Sequence, residues 1–211
     1  MKIGMILDAI YPSDARVTNE CEELIKNGHE VYLFCVSYHK NYIKSEIING
    51  IKVRRYYCSS LTYKLSALAN DFPLYSILMK SKIKDFIHKN NIDRMHIHDI
   101  QIAKAAVDVC KKYNLKYTLD LHENRHEIMK SYKHVNSFFG KLLISVKRWK
   151  KAEEKYVSKA EKVIVVTNQA KKEITERCKI SNDNVVVYPN TVRKSFYQNK
   201  DYDQELKKKY I

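Results

Sequence analysis

The 211-residue chain holds only four Gly and three Pro, too few for a collagen-like repeat or a flexible linker. It has no uninterrupted apolar run of membrane-spanning length, and Met1-Lys2-Ile3-Gly4-Met5-Ile6-Leu7-Asp8 meets an acid before a signal-peptide core can develop. The expectation is a protein made and kept in the cytoplasm. Its five cysteines (Cys21, Cys35, Cys58, Cys110, Cys178) form an odd, widely spaced set with no CxxC pair, which excludes a zinc ribbon and suits reduced thiols. Gly4, Gly28, Gly50 and Gly140 are isolated, so there is neither a P-loop nor a GxGxxG turn, and an ATPase or NAD enzyme is not expected.

What is present is ordinary globular composition, 45% apolar and 30% charged, at a length that favours one domain. The charge is uneven. Lys and Arg number 39 against 24 Asp and Glu, a net +15 that favours contact with something anionic. Residues 128–160 carry nine of the cations (Lys130, Lys133, Lys141, Lys147, Arg148, Lys150, Lys151, Lys155, Lys159) and two acids, Glu153 and Glu154. Neither a helix-turn-helix nor an RNA-recognition signature accompanies them, and the 16 Tyr are scattered, so nucleic acid is not expected as a partner.

Short β-rich runs at about 2–7, 30–36, 94–98, 116–121, 162–167 and 184–188 alternate with helical periodicity near 15–27, 73–89, 100–113, 137–159 and 168–178. Strands and helices taking turns predict an α/β fold, Rossmann-like, with a mostly parallel sheet and helices on both faces. Asn49-Gly50 between two β-rich runs predicts an antiparallel hairpin at or near the sheet edge. Asp14 is placed to cap the first helix and Gly28 to close it. After Asn190 the periodicity fades, and a Lys-rich segment at 200–211 reads as a boundary: residues 1–199 as the domain, 200–211 as the start of a linker.

In such a sheet the ligand crevice lies beyond the carboxyl ends of the strands, and here the residues following the strands are polar. They are Asp8 through Asp14 with Arg16, then His98-Asp99, then His122-Glu123-Asn124, then Thr167-Asn168-Gln169, and finally Asn190. An anion held after the first strand would use the amides near Ala15, with Arg16 supplying charge. His122-Glu123-Asn124-Arg125-His126 also matches HExxH, the zinc-hydrolase pattern in which two His one helical turn apart bind metal and Glu is the base. That chemistry needs a helix through both His, whereas Lys116 to Leu121 reads as a strand running into His122. The expectation is no metal. His96 and His98 share a strand face, more in keeping with core or rim hydrogen bonding.

Set 100° apart, residues 137–159 place Phe138, Phe139, Leu142, Leu143, Val146, Trp149, Tyr156 and Val157 on one arc and most of the lysines opposite. Lys150 and Glu153 fall inside the apolar arc. The segment reads as a domain helix with a solvated basic face, or as one that meets anionic lipid headgroups, so that the protein would lie peripherally at the inner face of the cell membrane.

Taken in order, Asp14-Ala15-Arg16-Val17, Gly28-His29-Glu30-Val31, Asn49-Gly50-Ile51-Lys52-Val53, His96-Ile97-His98-Asp99, Asp120-Leu121-His122-Glu123, the run Ala160 to Thr167 and Val187-Tyr188-Pro189-Asn190 resemble the N-terminal, acceptor-binding half of glycosyltransferase family 4. These are retaining GT-B enzymes that move a sugar from a nucleotide-sugar donor. The resemblance implies a cleft in which Arg16 faces phosphate, His122 orients or stabilises the reacting groups and Glu123 bonds acceptor hydroxyls. Asp14, His98, Asp99, Asn124 and Asn190 would bind substrate in the same cleft. Where many relatives carry a Gly-Gly pair in the first loop, Tyr11-Pro12-Ser13 stands here, and Thr191 stands where a Gly is common. The resemblance further implies that the donor binds mainly in a second, missing C-terminal half or a partner subunit, and that this chain alone is inactive. No cofactor besides the nucleotide sugar is expected. The implied acceptor is a polysaccharide or a lipid-linked sugar of the cell envelope. A non-catalytic module holding a sugar or phosphate ligand, or a zinc hydrolase using His122, Glu123 and His126, are the alternatives the residues leave open. Donor, acceptor, linkage and oligomeric state are not legible.

Overall fold

The computed structural model describes residues 1–191. In chain order the elements are β1 (Lys2–Ile6), α1 (Ala15–Lys26), β2 (Glu30–Ser37), β3 (Ser45–Ile48), β4 (Ile51–Tyr57), α2 (Ser60–Ser66), α3 (Leu74–Asn90), β5 (Arg94–His98) and α4 (Ile100–Tyr113). There follow β6 (Tyr117–Leu121), α5 (Arg125–Met129), α6 (Lys133–Asn136), α7 (Phe138–Leu143), α8 (Val146–Val157), β7 (Lys162–Val165), α9 (Asn168–Cys178) and β8 (Val185–Val187). The eight strands form one sheet in the order β3-β4-β2-β1-β5-β6-β7-β8. Every pairing is parallel except β3 with β4. The Rossmann-like α/β fold expected from alternating periodicities is therefore what the chain adopts. The boundary at residue 199 and the linker at 200–211 lie outside the described residues.

Local chemistry explains the punctuation. Asp14 caps α1 by accepting from the Val17 amide, and Gly28, at φ +79°, takes the left-handed turn that leads straight into β2. Asn49 and Gly50, both at positive φ, close the β3–β4 hairpin at the sheet edge, as the two-residue turn requires.

Two apolar layers sandwich the sheet. On one face Val17 and Cys21 of α1 pack against Met5, Leu33 and Cys35. On the other, α3, α4, α8 and α9 cover Ile6, Phe34, Ile97, Leu119 and their neighbours. The five cysteines are free thiols, all but Cys178 buried.

The single helix expected over 137–159 is two. Ile144 leaves helical geometry at φ −105°, ψ 121°, and the Ser145 hydroxyl accepts from the Arg148 amide to start α8 afresh. The apolar arc is divided accordingly: Trp149, Tyr156 and Val157 of α8 are buried, whereas Phe138, Leu142 and Leu143 of α7 are exposed. Glu153, which fell in that arc, is buried because Arg177 of α9 binds it, and Lys150 points outward. Helix α2 has no counterpart in the sequence reading, since seven residues are too few to show a periodicity.

Strand order reverses direction at β1 and β5, one leading outward to β2 and the other to β6. The crevice beyond their carboxyl ends is the place where an open α/β sheet holds a ligand.

Candidate functional site

Asp120 is the hub of that crevice. Its carboxylate projects from β6 onto the face covered by α1 and is fully buried. Arg16 grips it with one edge of the guanidinium, Nε to Oδ2 at 3.0 Å and Nη2 to Oδ1 at 2.7 Å. The same Oδ2 lies 3.2 Å from His98 Nδ1 and 3.0 Å from His122 Nε2. This convergence follows from register: His98 and Asp120 are direct partners across β5 and β6, and His122, two residues beyond Asp120, falls on the same side of the chain. Arg16 and Glu20, one helical turn apart on α1, are 3.2 Å from each other and close the cluster from above.

On its outer side His122 meets further acids. The Asp99 carboxylate accepts the His122 amide at 3.2 Å and stands 3.6 Å from His122 Nδ1, with an Asp14 oxygen at 4.0 Å. Asp99 is held at φ +64°, ψ 154°, backbone geometry that costs a non-glycine residue roughly 1–3 kcal/mol. Its amide donates to the Asp120 carbonyl at 2.8 Å, which helps to fix that geometry.

The electrostatics follow from this packing. Burial works against charge on His122, but the hydrogen bond to Asp120 and the charges of Asp99 and Asp120 outweigh it and lift its pKa to about 9. His122 is therefore an imidazolium at neutral pH. His98 goes the other way: burial, reinforced by the neighbouring His96, lowers it to about 4 and keeps it neutral. Burial also opposes the charge on Asp120, yet the surrounding imidazoles and Arg16 hold its carboxyl far below the usual range. Burial raises Glu20 and Asp8 to about 7.

His122, Asp14, Arg16, Asn190 and Thr191 line an open cavity of about 350 Å³ at the start of α1. Of the residues singled out in the sequence, Asp14, Arg16, His98, Asp99, His122 and Asn190 come together here. Arg16 lines this cavity while most of its guanidinium is taken up by the protein. It is 5% exposed, and besides Asp120 its Nη1 donates to the Tyr188 carbonyl at 2.6 Å and to Asn190 Oδ1 at 3.1 Å. Glu123 and Asn124 face elsewhere. Glu123 pairs with Arg125, which also binds Gln101; Gln101 in turn donates to Asp8 at 3.3 Å and to the Ser66 hydroxyl at 2.7 Å. Asn124 donates to Glu173 at 3.0 Å.

The HExxH pattern is not assembled as a metal site. His122 follows the end of β6 and α5 begins only at Arg125, so the two His do not share a helix turn. His126 instead faces Glu127, Glu153 and Glu173 at 3.6–3.9 Å. Among the described residues, Glu20, His96, His98 and Asp120 do bring ligand atoms within 4.8 Å of one another. The Arg16 guanidinium already sits against both of those carboxylates, and a cation placed there would have to displace it.

Sequence reasoning passed over Asp120 as a site residue, and over Glu20, Gln101 and Arg125. A signal for Asp120 was present, an acid inside an otherwise apolar strand, Tyr117-Thr118-Leu119-Asp120-Leu121.

Comparison with known proteins places this geometry in context. The family model described as Glycosyltransferase Family 4 matches residues 15–196. Among proteins of curated function, none matches the sequence. Similar solved structures include a sucrose-phosphate synthase from Thermosynechococcus elongatus, at 14% identity and TM-score 0.66 over 90% of this chain and 48% of that one. A structure titled as trehalose-6-phosphate from E. coli bound with UDP-2-fluoro glucose matches at 12% identity and TM-score 0.58, over 98% and 55% of the respective chains. The lipopolysaccharide outer core galactosyltransferase WaaB matches at 17% identity and TM-score 0.55, over 91% and 46%. The chain thus spans about half the length of these three proteins.

Proposed function

The chain belongs to glycosyltransferase family 4, and from that premise we propose that it forms the acceptor-side half of a retaining glycosyltransferase, which moves a sugar from a nucleotide-sugar donor to a polysaccharide or lipid-linked acceptor. The observation that carries this reading is the His122 imidazolium, held by buried Asp120 and directed at the 350 Å³ cavity. Sugar transfer from a nucleotide donor leaves negative charge on the departing diphosphate and positive character on the sugar ring. A fixed cation at the cleft wall stabilises the first of these without reorganising at the moment of reaction. His122 acts as that cation and as a donor to the reacting groups; Asp120 positions it. Asp99 and Asp14 accept hydroxyl hydrogens from the bound sugar, and Asn190, fixed by Arg16, lines the opposite wall. Glu123 and Asn124, on the neighbouring stretch of the rim, bind acceptor hydroxyls further out.

The donor nucleotide binds mainly to a second domain or subunit, in keeping with a chain that spans half the length of its structural relatives. The test is transfer from labelled nucleotide sugars by the protein as it occurs in its cell, beside residues 1–211 alone. Turnover in the former, with retention of anomeric configuration and a loss of at least about a hundredfold in His122→Gln, is the expected result. Sugar binding without turnover in any native form would replace the reading with that of a binding module.

A further inference from the structure

Away from the crevice the structure exposes apolar side chains where a water-facing surface should be polar. Helix α3 buries Tyr75, Ser76 and Met79 yet turns Leu74, Ile77 and Leu78, spaced i, i+3 and i+4, toward solvent; Ile77 is 57% exposed. Just before it, Leu61 of α2 and Phe72 of the connecting loop are exposed as well. The other contribution is α7, with Leu142 at 71% and Phe138 at 82% exposure. Asp71 joins the two parts: it accepts from the Ser145 amide at 3.0 Å, from Arg148 Nε at 2.6 Å and from Trp149 Nε1 at 3.0 Å, fastening the α2–α3 corner to the α7–α8 junction. An apolar area of this kind marks an interaction surface.

We propose that this surface, the α2–α3 corner together with α7, seats on an anionic phospholipid bilayer. Charge selects this occupant. Exposed Lys64 of α2 and Lys147, Lys150 and Lys151 of α8 make no ion pair among the described residues, and a second copy of a +15 chain would bring like charge against them. A bilayer offers an apolar interior beneath a negative headgroup layer, which answers the leucines and the lysines at once. No helix among the described residues is long and apolar enough to cross a membrane, so the contact is one of lying on the surface. Because α2 follows the carboxyl end of β4 and α7 that of β6, the surface is at the same end of the sheet as His122. Tyr63, Lys64, Gln101, Arg125 and Trp149 are among the residues that line a cavity of about 610 Å³. Resting on the transferase reading, this cavity is the entry for the polar part of a lipid-linked acceptor; the docking surface itself does not rest on that reading.

The test is co-sedimentation with vesicles of phosphatidylcholine alone and of phosphatidylcholine mixed with phosphatidylglycerol, without donor or acceptor, so that failure leaves the transferase reading standing. Binding is expected only with the anionic lipid, weakening as salt rises, and Leu142→Ser and Ile77→Ser are each expected to lower it roughly tenfold with unchanged melting temperature. Leu142→Trp adds a reporter: brominated acyl chains should quench it, while the sole native tryptophan, buried Trp149, stays unquenched. Binding indifferent to lipid charge and salt, an unquenched Leu142→Trp, or a dimer in solution that Leu142→Ser dissolves would each overturn the proposal.

Discussion

The two faces of the sheet carry different chemistry. Under α3 and α4, and beneath Trp149, Tyr156 and Val157 of α8, the packing is mostly apolar and stability comes chiefly from burying surface, the Glu153–Arg177 pair and buried His126 being polar exceptions at the α8–α9 edge. On the opposite face α1 begins in the same way over β1 and β2, with Val17 and Cys21, and then meets Asp120, His98 and His96 over β5 and β6. An apolar layer tolerates a volume-conserving exchange. A buried charge cluster does not, because removing one member leaves its partners unpaired in a low-dielectric interior. The charged half of that face is thus a poor way to make a stable core and a good way to hold one imidazolium at the crevice.

The largest effect that would sharpen this contrast is Asp120→Asn. It leaves Arg16 and His122 facing a neutral group and should cost about 3–5 kcal/mol of unfolding free energy in urea titration; a loss under about 1 kcal/mol would put the two faces on the same footing. The paired exchange Arg16→Leu with Asp120→Leu breaks the comparison from the other side. Replacing a buried ion pair by apolar groups is often neutral, so the double variant should recover most of the stability while His122 loses its elevated pKa.

A smaller effect is set by pH. His122 binds its proton more tightly in the folded chain, so the stability it adds is complete below its ordinary pKa near 6.5 and is lost as pH rises through about 9. Roughly 3 kcal/mol should disappear across that window in wild type and not in His122→Gln. Parallel pH profiles for the two proteins would remove the imidazolium from the account. Smallest is Ser145→Ala, which removes the cap that restarts α8 outside the charged cluster and should cost about 1 kcal/mol without moving the His122 titration.

How much of this was legible in the sequence depends on the range of the interaction. The α1 cap at Asp14, the Asn49-Gly50 hairpin and the alternation of strands and helices are local, and residue type with spacing was enough to read them. The break at Ile144 was hidden because the apolar arc continues in phase across it; what ends the helix is Asp71, 74 residues away, binding the Ser145 amide. The site divides in the same way. Residues that follow strands were recognisable as a polar rim, but Arg16 reads as a free cation until its partner 104 residues along the chain is known. Asp120 became the hub only through the register of β5 against β6 and the seating of α1 over both. Glu123, adjacent to His122 in sequence, lies on the other side of the strand end and binds Arg125 instead.

The most direct test of the central claim is an NMR titration of the His122 imidazole in the folded protein between pH 5 and 11, with Asp120→Asn alongside. The account predicts a midpoint near 9 in wild type, falling toward the ordinary histidine value of about 6.5 once the hub carboxylate is neutralised. A wild-type midpoint already at the ordinary value, or one that Asp120→Asn leaves in place, would contradict it.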